Sequence, residues 1–417
     1  MPAVLAVPVV LALVVAGAAL AWWAGGPPGQ PRDPSLPLRV LVLALVALIG
    51  VGSVVLAAQG ETGGPLLVGG AFVALGGGAW LARRAWGASS PIPTAMASAP
   101  VRWWAVGGAA LVGTLALASI VARSGVPLLA ETPFEARAAF SGLVFDVFRW
   151  LVPPTALVAV AWALAKPTRG RVGIAALACA LVVGIEVLLA SRALPFELAA
   201  GIALLAWWSG RRPRPRVVLG LAAAGLVFFL GVLLARMGPE ASFRDPLDFL
   251  AFAADRTVGR VVLIQPQTID VAVDSIPADE PYWAGATYLR RITTVLGQPD
   301  DRPVLGAWLY SRMFPGAPPA FAAPGVLAEG WANAGLPLAL GLMALLGLGT
   351  QVFGTALGRL GAGPADRVAA ALVTVAIART YATSLNGFLL TVAVTVAWWL
   401  AVRPGAIASL RRLRRGA

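Results

Sequence analysis

Residues 334–353 of this 417-residue chain read AGLPLALGLMALLGLGTQVF, an apolar run without a charged side chain. A helix needs about 20 such residues to cross the hydrocarbon core of a bilayer. With 59% hydrophobic and 12% charged residues, the whole chain has the composition of a multi-pass membrane protein. Similar windows fall at 2–24, 39–59, 65–82, 103–122, 148–165, 172–190, 193–209, 217–236, 334–353, 367–383 and 387–402. The sequence therefore predicts an all-α polytopic membrane protein with about 11 transmembrane helices.

The chain divides into three parts. Residues 1–236 hold the first eight predicted helices, and the start is interpreted as a membrane helix, not a cleaved signal peptide. Residues 237–333 form one large polar segment, and residues 334–417 hold three more helices and a basic tail. Because long loops are usually functional, we expect the function to be located in the polar segment.

Basic residues predict the direction of the helices, because cytoplasmic loops collect Lys and Arg. If the arginines between 411 and 415 are cytoplasmic, alternate loops on that side hold most basic residues, with Asp33 and Asp366 as their only acids. Tryptophan pairs fall at the same helix ends: Trp22–Trp23, Trp103–Trp104, Trp207–Trp208 and Trp398–Trp399. We therefore predict a protein of the bacterial cytoplasmic membrane with its N-terminus outside, its C-terminus in the cytoplasm and the polar segment outside.

The composition excludes several classes of function. No histidine is present and Cys179 is the single cysteine, which argues against a zinc site, a histidine-based triad, a haem and a disulfide framework. No G-x-x-x-x-G-K-[ST] motif is present, so ATP-driven chemistry is not expected. Membrane topology explains the net charge of +13, so nucleic acid is not an expected partner. The adjacent acids Asp279–Glu280 and Asp300–Asp301 are interpreted as solvated, and neither a metal nor a cofactor is expected.

Arginines on the predicted outer side need another explanation, because the topological bias works against them. Arg149, Arg192 and Arg379 lie within or beside apolar runs, where an ionisable group is costly and often functional. Glu186 and Glu197 flank Arg192 in the sequence. Two explanations stay open: a structural ion-pair network, or an electropositive cavity that binds a phosphorylated lipid through planar, permanently charged guanidinium groups.

The polar segment contains both helical and irregular stretches. Apolar spacing predicts helices near 246–254, 283–295 and 304–313, whereas proline and glycine dominate 314–325 (FPGAPPAFAAPG). Aromatic side chains interleaved with Arg, Asp and Glu are what a sugar-binding site uses, although other folded extramembrane segments contain them too.

Four stretches resemble segments of bacterial oligosaccharide repeat-unit polymerases, the Wzy-type O-antigen polymerases. They are Gly125-Val-Pro-Leu-Leu129 with Arg137 and Gly142, Leu188-Leu-Ala-Ser-Arg-Ala193, Pro281-Tyr-Trp-Ala-Gly-Ala-Thr-Tyr288 and Leu327-Ala-Glu-Gly-Trp-Ala-Asn-Ala-Gly335. In that family the corresponding patterns are GIPLL…R…G, G-x-R, Y-x-x-G-x-x-Y and GE-x-Y-x-N-x-G. Related polymerases and ligases are often described with a loop histidine, and its absence here leaves out a histidine-based mechanism.

The resemblance implies a GT-C-like glycosyltransferase with a polyprenyl-diphosphate-linked donor. It would join undecaprenyl-diphosphate-linked oligosaccharide repeat units at the outer face of the membrane and release undecaprenyl diphosphate, in lipopolysaccharide or exopolysaccharide biosynthesis. Membrane lipid is a further expected partner, and a chain-length regulator is compatible with this role.

The resemblance also implies roles for individual residues. The expected catalytic residues are Glu329, which matches the family's glutamate, with Arg260 and Arg192; Asp270 and Asp274 are weaker candidates for the base. The expected diphosphate-binding residues are Arg137, Arg192, Arg256, Arg260, Arg290 and Arg291. The expected sugar-binding residues are Tyr282, Trp283, Tyr288 and Asn333.

Three other functions stay open. An O-antigen ligase transfers a finished glycan with the same leaving group. A lipid-linked oligosaccharide transporter or flippase would need polar residues along helix centres and an inverted repeat, and the sequence shows little of either. A purely structural or assembly role would leave the outer arginines without a ligand.

Overall fold

The structure is a computed structural model that describes residues 3–25, 35–87, 99–130, 140, 143–189, 193–210, 216, 225, 227, 230, 231, 234, 245–254, 263–295, 303–317, 321–359 and 363–405. These residues form helices and their connections, with no β-strand among them. Eight of the described helices are long and apolar enough to cross a membrane. The class of multi-pass, all-helical membrane protein is therefore confirmed, whereas the predicted count of eleven spans is not reached within the described ranges.

The first part of the chain contains seven described helices. They are α1 (Ala3–Ala24), α2 (Leu36–Ala58), α3 (Gly63–Trp86), α4 (Trp103–Ser124), α5 (Leu143–Ala165), α6 (Arg169–Leu188) and α7 (Ala193–Trp208). The first six include candidate spans, while α7 is a shorter apolar helix. The eighth predicted helix, at 217–236, lies almost wholly outside the described residues.

The polar segment and the last part of the chain are also helical where the structure describes them. Their helices are α8 (Pro246–Ala254), α9 (Ile264–Ser275), α10 (Ala286–Val295), α11 (Leu305–Met313), α12 (Gly325–Arg359), α13 (Pro364–Ala378) and α14 (Leu385–Val402). The three helices predicted in the polar segment are present as α8, α10 and α11, but α9 was not predicted. Helix α13 ends before the predicted 383, because the chain turns through a short 3-10 helix, Arg379–Tyr381.

Helix α12 is broken near its start. Ala334 has φ −156° and ψ 24°, and Gly335 has φ 68° and ψ −154°, a conformation almost restricted to glycine. A Cβ atom on Gly330 would lie 2.9 Å from the Cα of Ala339. In a straight helix, residues that far apart in sequence are separated by about 13 Å. Residues 325–333 therefore fold back against the apolar part of α12, and the predicted start of the ninth span at 334 coincides with the break.

Two apolar cores organise the bundle. The first is formed by α1, α2, α3, α9, α11 and the beginning of α12. The second is formed mainly by α4, α5, α6, α7 and α14. Helix α13 contributes to both cores, for example with Ile377 in the first and Val368 in the second. Helices α9 and α11 of the polar segment are therefore packed onto the first core.

Glycines let three helices of the first core approach closely. A Cβ on Gly78 of α3 would lie 1.9 Å from the carbonyl oxygen of Ala344 in α12, and one on Gly347 would lie 2.0 Å from that of Leu75. On the other side of α3, a Cβ on Gly17 of α1 would come within 2.2 Å of the Phe72 backbone. Small residues at such contacts are how helices associate in a membrane. Helix α3 is consequently held between α1 and α12 by direct backbone contact.

Basic and tryptophan side chains gather at the helix ends predicted to be cytoplasmic. The Arg39 guanidinium, at the start of α2, lies 5.0 Å from the ring centroid of Trp22 at the end of α1. At the start of α13, the Asp366 carboxylate pairs with Arg403 at 2.9 Å and accepts a hydrogen bond from Trp399 Nε1 at 2.8 Å. The ends of α1 and α14 and the starts of α2 and α13 therefore carry the arginine and tryptophan contacts, while the orientation of the protein in the membrane stays a prediction.

The close contact between α3 and α12 predicts a large effect for one methyl group. We expect Gly78→Ala to destabilise the protein by about 1–3 kcal/mol, because the methyl group overlaps a carbonyl oxygen that cannot move away cheaply. Gly77→Ala is the matched control, since a Cβ on Gly77 meets nothing within 4 Å. Thermal unfolding in detergent measures the difference, and equal midpoints for the two variants would contradict the contact.

Candidate functional site

A cavity of about 520 Å³ lies among α5, α7, α10, α13, α14 and the start of α12. This volume is within the range of pockets that hold small molecules, roughly 300–1,000 Å³. Apolar side chains of the long helices form most of its wall. Polar and charged groups contribute at the helix ends: Asp146, Arg149, Glu197, Thr287, Arg290, Glu329, Arg379, Ser384 and Asn386. The combination of an apolar wall and converging polar groups makes this cavity the candidate binding site.

Hydrogen bonds join the third and fourth stretches that resemble the polymerase family. The Trp283 N–H donates to the carbonyl oxygen of Ala332 at 2.9 Å, and the Ala284 N–H donates to that of Asn333 at 3.0 Å. Ala284 and Gly285 adopt φ values of 48° and 87°, which turn the chain into α10. Two stretches that are separate in sequence therefore form one structural unit beside the cavity.

Asn333 is the centre of this unit. Its Nδ2 donates to Thr287 Oγ1 at 2.6 Å and to the Glu329 carbonyl oxygen at 2.7 Å, and its Oδ1 accepts from the Gly285 N–H at 2.9 Å. The side chain is 1% exposed and does not line the cavity. Its two donors and one acceptor position are occupied by protein groups, so Asn333 holds these residues in place, and its predicted role in sugar binding stays a prediction.

Glu329 is a buried carboxylate at the cavity wall. It is 2% exposed, and its Oε2 accepts a hydrogen bond from the Leu385 N–H at 2.6 Å. The Thr287 side chain also interacts with this carboxyl group. Among the described residues, no arginine or lysine forms a salt bridge with Glu329. Such a carboxylate is suited to accept a proton or a hydrogen bond from a ligand hydroxyl.

A second cluster of charged side chains in the cavity wall joins three elements of the fold. Arg149 Nη2 of α5 lies 3.1 Å from Glu197 Oε1 of α7, and Arg379 Nη1, after α13, contacts the same oxygen. Their side chains are 26%, 22% and 31% exposed, respectively for Arg149, Glu197 and Arg379. One carboxylate therefore bridges two guanidinium groups, which gives this corner an excess of positive charge.

The charge of the whole cavity differs from the expected electropositive one. Three arginines (Arg149, Arg290 and Arg379) and three acids (Asp146, Glu197 and Glu329) stand in its described wall. Positive charge is concentrated at the Arg149–Glu197–Arg379 corner, whereas Glu329 lies at another part of the wall. Arg149 and Arg379 form ion pairs with Glu197 and also line the cavity. The two explanations given for the outer arginines, an ion-pair network and a ligand-binding cavity, are therefore both compatible with these two residues.

The predicted sugar-binding aromatics are placed in three different environments. Trp283 lines the cavity, but it is 6% exposed and its ring packs edge-on against Trp308, with 6.0 Å between ring centroids. Tyr282 packs beside Gly335, where a Cβ would lie 2.7 Å from the Tyr282 hydroxyl oxygen. The Tyr288 hydroxyl is buried close to the Asn333 side chain. Burial raises its pKa most, the nearby Glu329 charge raises it further, and the interaction with Asn333 opposes the rise. Of these, Trp283 alone borders the cavity.

The predicted diphosphate-binding arginines are only partly described. Arg290 of α10 lines the cavity, and its role in diphosphate binding stays a prediction. Arg137, Arg192, Arg256, Arg260 and the side chain of Arg291 lie outside the described residues. Their roles stay predictions.

Several cavity residues were not among the predicted site residues. Arg149 and Arg379 had been recognised as arginines within apolar runs, which was the signal that could have identified them. Glu197 had been considered only as a neighbour of Arg192. Thr287 and Asn386 carried no signal, because a neutral polar residue at a helix start is common. Asn386 links α14 to α10 by donating to the carbonyl oxygens of Thr287 and Tyr288.

The weaker candidates for a base lie elsewhere. Asp270, Asp274 and Glu61 have carboxylate oxygens within 4.8 Å of one another, a spacing that could hold a cation, and none of the three lines the cavity. Burial raises the pKa of Asp270 from 3.8 to about 6, with smaller contributions from the neighbouring Asp274 and Glu61, while the Gly64 N–H bond opposes the rise. Asp279 and Glu280, by contrast, pair with Arg312.

No protein family matches this chain, and no curated protein or solved structure shows significant similarity to it.

The role of Asn333 predicts a local effect of its substitution. We expect Asn333→Asp to weaken the contact between α10 and α12 by about 1–3 kcal/mol, because a carboxylate cannot donate to Thr287 or to the Glu329 carbonyl. Hydrogen–deuterium exchange of the Gly285 amide should become faster. Thr350→Val is the control, since the Thr350 hydroxyl bonds only within α12, to the Leu346 carbonyl. Unchanged exchange in N333D would show that Asn333 does not hold this unit together.

The raised pKa of Asp270 predicts a stability that depends on pH. A folded-state pKa above the ordinary value means that the folded protein is most stable with Asp270 protonated, and that stability falls as pH rises from about 4 through about 6. Asp270→Asn keeps the acceptor for the Gly64 N–H and should stabilise the protein by on the order of 2 kcal/mol at pH 7.5, with little effect at pH 4. Thermal midpoints across this pH range measure the change, with Asp248→Asn, an exposed acid of α8, as the control. A midpoint difference independent of pH would refute it.

Proposed function

We propose that this protein is a membrane glycosyltransferase that joins lipid-diphosphate-linked oligosaccharide repeat units. One observation carries the proposal: a buried carboxylate, Glu329, and an arginine pair, Arg149 and Arg379, face the same cavity. A transfer from a glycosyl diphosphate needs both kinds of group, one for the acceptor hydroxyl and one for the leaving group. The third and fourth of the stretches that resemble repeat-unit polymerases contribute Trp283, Ala286, Thr287 and Glu329 to the wall of that cavity, which supports the same function.

The chemistry can be assigned to these groups. The hydroxyl oxygen of the acceptor sugar attacks the anomeric carbon of the donor, and the bond from that carbon to the diphosphate oxygen breaks. The hydroxyl proton passes to the Glu329 carboxylate, whose Oε2 is already fixed by the Leu385 N–H. Charge that develops on the leaving diphosphate is stabilised by arginines, which are positioned before the reaction starts. The products are a lengthened lipid-linked glycan and a free lipid diphosphate.

The position of the cavity in the bundle agrees with this role. Arg149 stands near the start of α5 and Arg379 follows the end of α13, whereas the ends of α1 and α14 carry the arginine and tryptophan contacts. Under the topology derived from the charge pattern, the cavity faces the outer side of the cytoplasmic membrane. Lipid-linked repeat units, membrane lipid and a chain-length regulator are the partners that this location suggests.

The glycans of a deletion strain test the proposal directly. Gel electrophoresis and mass spectrometry of surface and lipid-linked glycans should show single repeat units in place of a ladder of polymer. Intact polymer that stays on its lipid carrier would instead establish a ligase. An unchanged glycan profile would refute both enzymes.

Glu329 provides a test at the level of one residue. We expect Glu329→Gln to reduce polymer by roughly 10²–10⁴-fold, because the amide accepts the Leu385 hydrogen bond but cannot take a proton. Glu280→Gln is the control, as Glu280 is an acid of the polar segment that pairs with Arg312 outside the cavity. Complementation of the deletion strain, with membrane levels checked by immunoblot, gives the measurement. Full polymer with E329Q would exclude Glu329 as the base.

A further inference from the structure

The corner formed by Arg149, Glu197 and Arg379 has more hydrogen-bond donors than the protein uses. Both arginines contact a single oxygen, Glu197 Oε1, and no other side-chain hydrogen bond of either guanidinium is found among the described residues. A guanidinium group has five N–H donors in a planar fork, which fits two oxygens of one phosphate. Because both side chains line the cavity and are partly exposed, the unused donors are accessible to a ligand.

We propose that Glu197 is an internal anion which holds Arg149 and Arg379 in place and is displaced by the diphosphate of a lipid-linked ligand. The choice of a lipid diphosphate rests on the proposed function. Two guanidinium groups around one carboxylate leave one positive charge unbalanced at this corner. A diphosphate carries more negative charge and more acceptor oxygens than a carboxylate, so it engages the two forks more completely.

The three residues come from separate elements, which gives the displacement a structural consequence. Arg149 belongs to α5, Glu197 to α7, and Arg379 to the turn between α13 and α14. Glu197 therefore ties α7 to both of the other elements. When a diphosphate replaces it, the two arginines stay together around the ligand while α7 loses its polar link. Binding of the diphosphate thus breaks the ion pairs that connect α7 to α5 and to the turn after α13.

The apolar wall beside this corner suits the lipid part of such a ligand. Pro153 and Leu157 of α5, Leu198 of α7, and Leu372 and Val375 of α13 line the same cavity as the arginines. An isoprenoid chain contributes binding energy in proportion to the apolar surface it buries there. A lipid diphosphate is therefore expected to bind more tightly than either a free diphosphate or a neutral isoprenoid alcohol.

Equilibrium binding of farnesyl diphosphate to the full-length protein in detergent tests the inference, by calorimetry. We expect Arg149→Gln and Arg379→Gln each to weaken binding at least about tenfold, and Glu197→Gln to strengthen it about tenfold, because the ligand no longer competes with an anion. E197Q without ligand should have a lower thermal midpoint and a larger stabilisation by ligand than the wild type. Arg123→Gln is the control, since Arg123 is exposed, bonds to the Ser119 carbonyl and does not line the cavity.

Different outcomes overturn different parts of the inference. Equal affinity for farnesol would show that the anion is not recognised, and equal affinity for inorganic diphosphate would mean that the ligand is a soluble diphosphate. Unchanged or weaker binding by E197Q would show that the ligand does not displace Glu197 from the arginines. If the glutamine variants of the arginines do not fold, Arg149→Lys and Arg379→Lys keep the charge but lose the fork, and wild-type affinity in both would refute the site.

These results are separable from the test of the proposed function. A deletion strain that accumulates single repeat units, combined with arginine variants that bind farnesyl diphosphate normally, would preserve the polymerase and reject this binding site. A normal glycan profile combined with the predicted binding changes would preserve the site and reject the polymerase.

Discussion

The break in α12 at Asn333–Gly335 is the constraint on which the rest of the site depends. A helix leaves backbone groups without partners wherever it stops, and these groups are costly away from water. Here Gly335 adopts the backbone conformation that turns the chain. The Ala332 and Asn333 carbonyls at this helix end accept hydrogen bonds from the Trp283 and Ala284 N–H groups. The Asn333 side-chain amide also binds Gly285 and Thr287, so the segment before α10 satisfies the break and is attached to the membrane helices there.

This attachment explains why the acid and the arginines share a cavity. Residues 325–333 fold back onto α12 and carry Glu329 towards α14, where the Leu385 N–H binds its carboxylate. Arg149 comes from α5 of the other core, and Arg379 follows α13. The cavity therefore lies where the two cores meet, and α13, which belongs to both, forms one of its walls. Charges of both signs in such a place stabilise one another, since an isolated charge with few water contacts is costly.

The sequence predicted the class of fold and the long helices well, because hydrophobic length is a strong signal. Residue 334 was correctly marked as the start of an apolar helix, but the fold-back of 325–333 was not foreseen, since it depends on the tertiary contact between Gly330 and Ala339. Helix α9 was missed because it mixes polar and apolar residues. For the site, Glu329 was predicted as a catalytic residue, Trp283 as a sugar-binding residue and Arg290 as a diphosphate-binding residue, and all three line one cavity. Asn333 was predicted to bind a sugar; its hydrogen bonds to protein groups depend on tertiary contacts that a sequence motif cannot show.

The glycine contacts of α3 make the two halves of the molecule mechanically unequal. Helices α1, α3 and α12 touch through their backbones, so they cannot slide or rotate against one another without a clash. The other core is joined by side chains, which can repack, and its link across the cavity at Glu197 is electrostatic. One side of the cavity is therefore attached to helices in direct backbone contact, and the other side is formed by helices joined through side chains. We therefore expect a ligand larger than the cavity to displace α5 and α7 more readily than α1, α3 and α12, whose backbones are in contact.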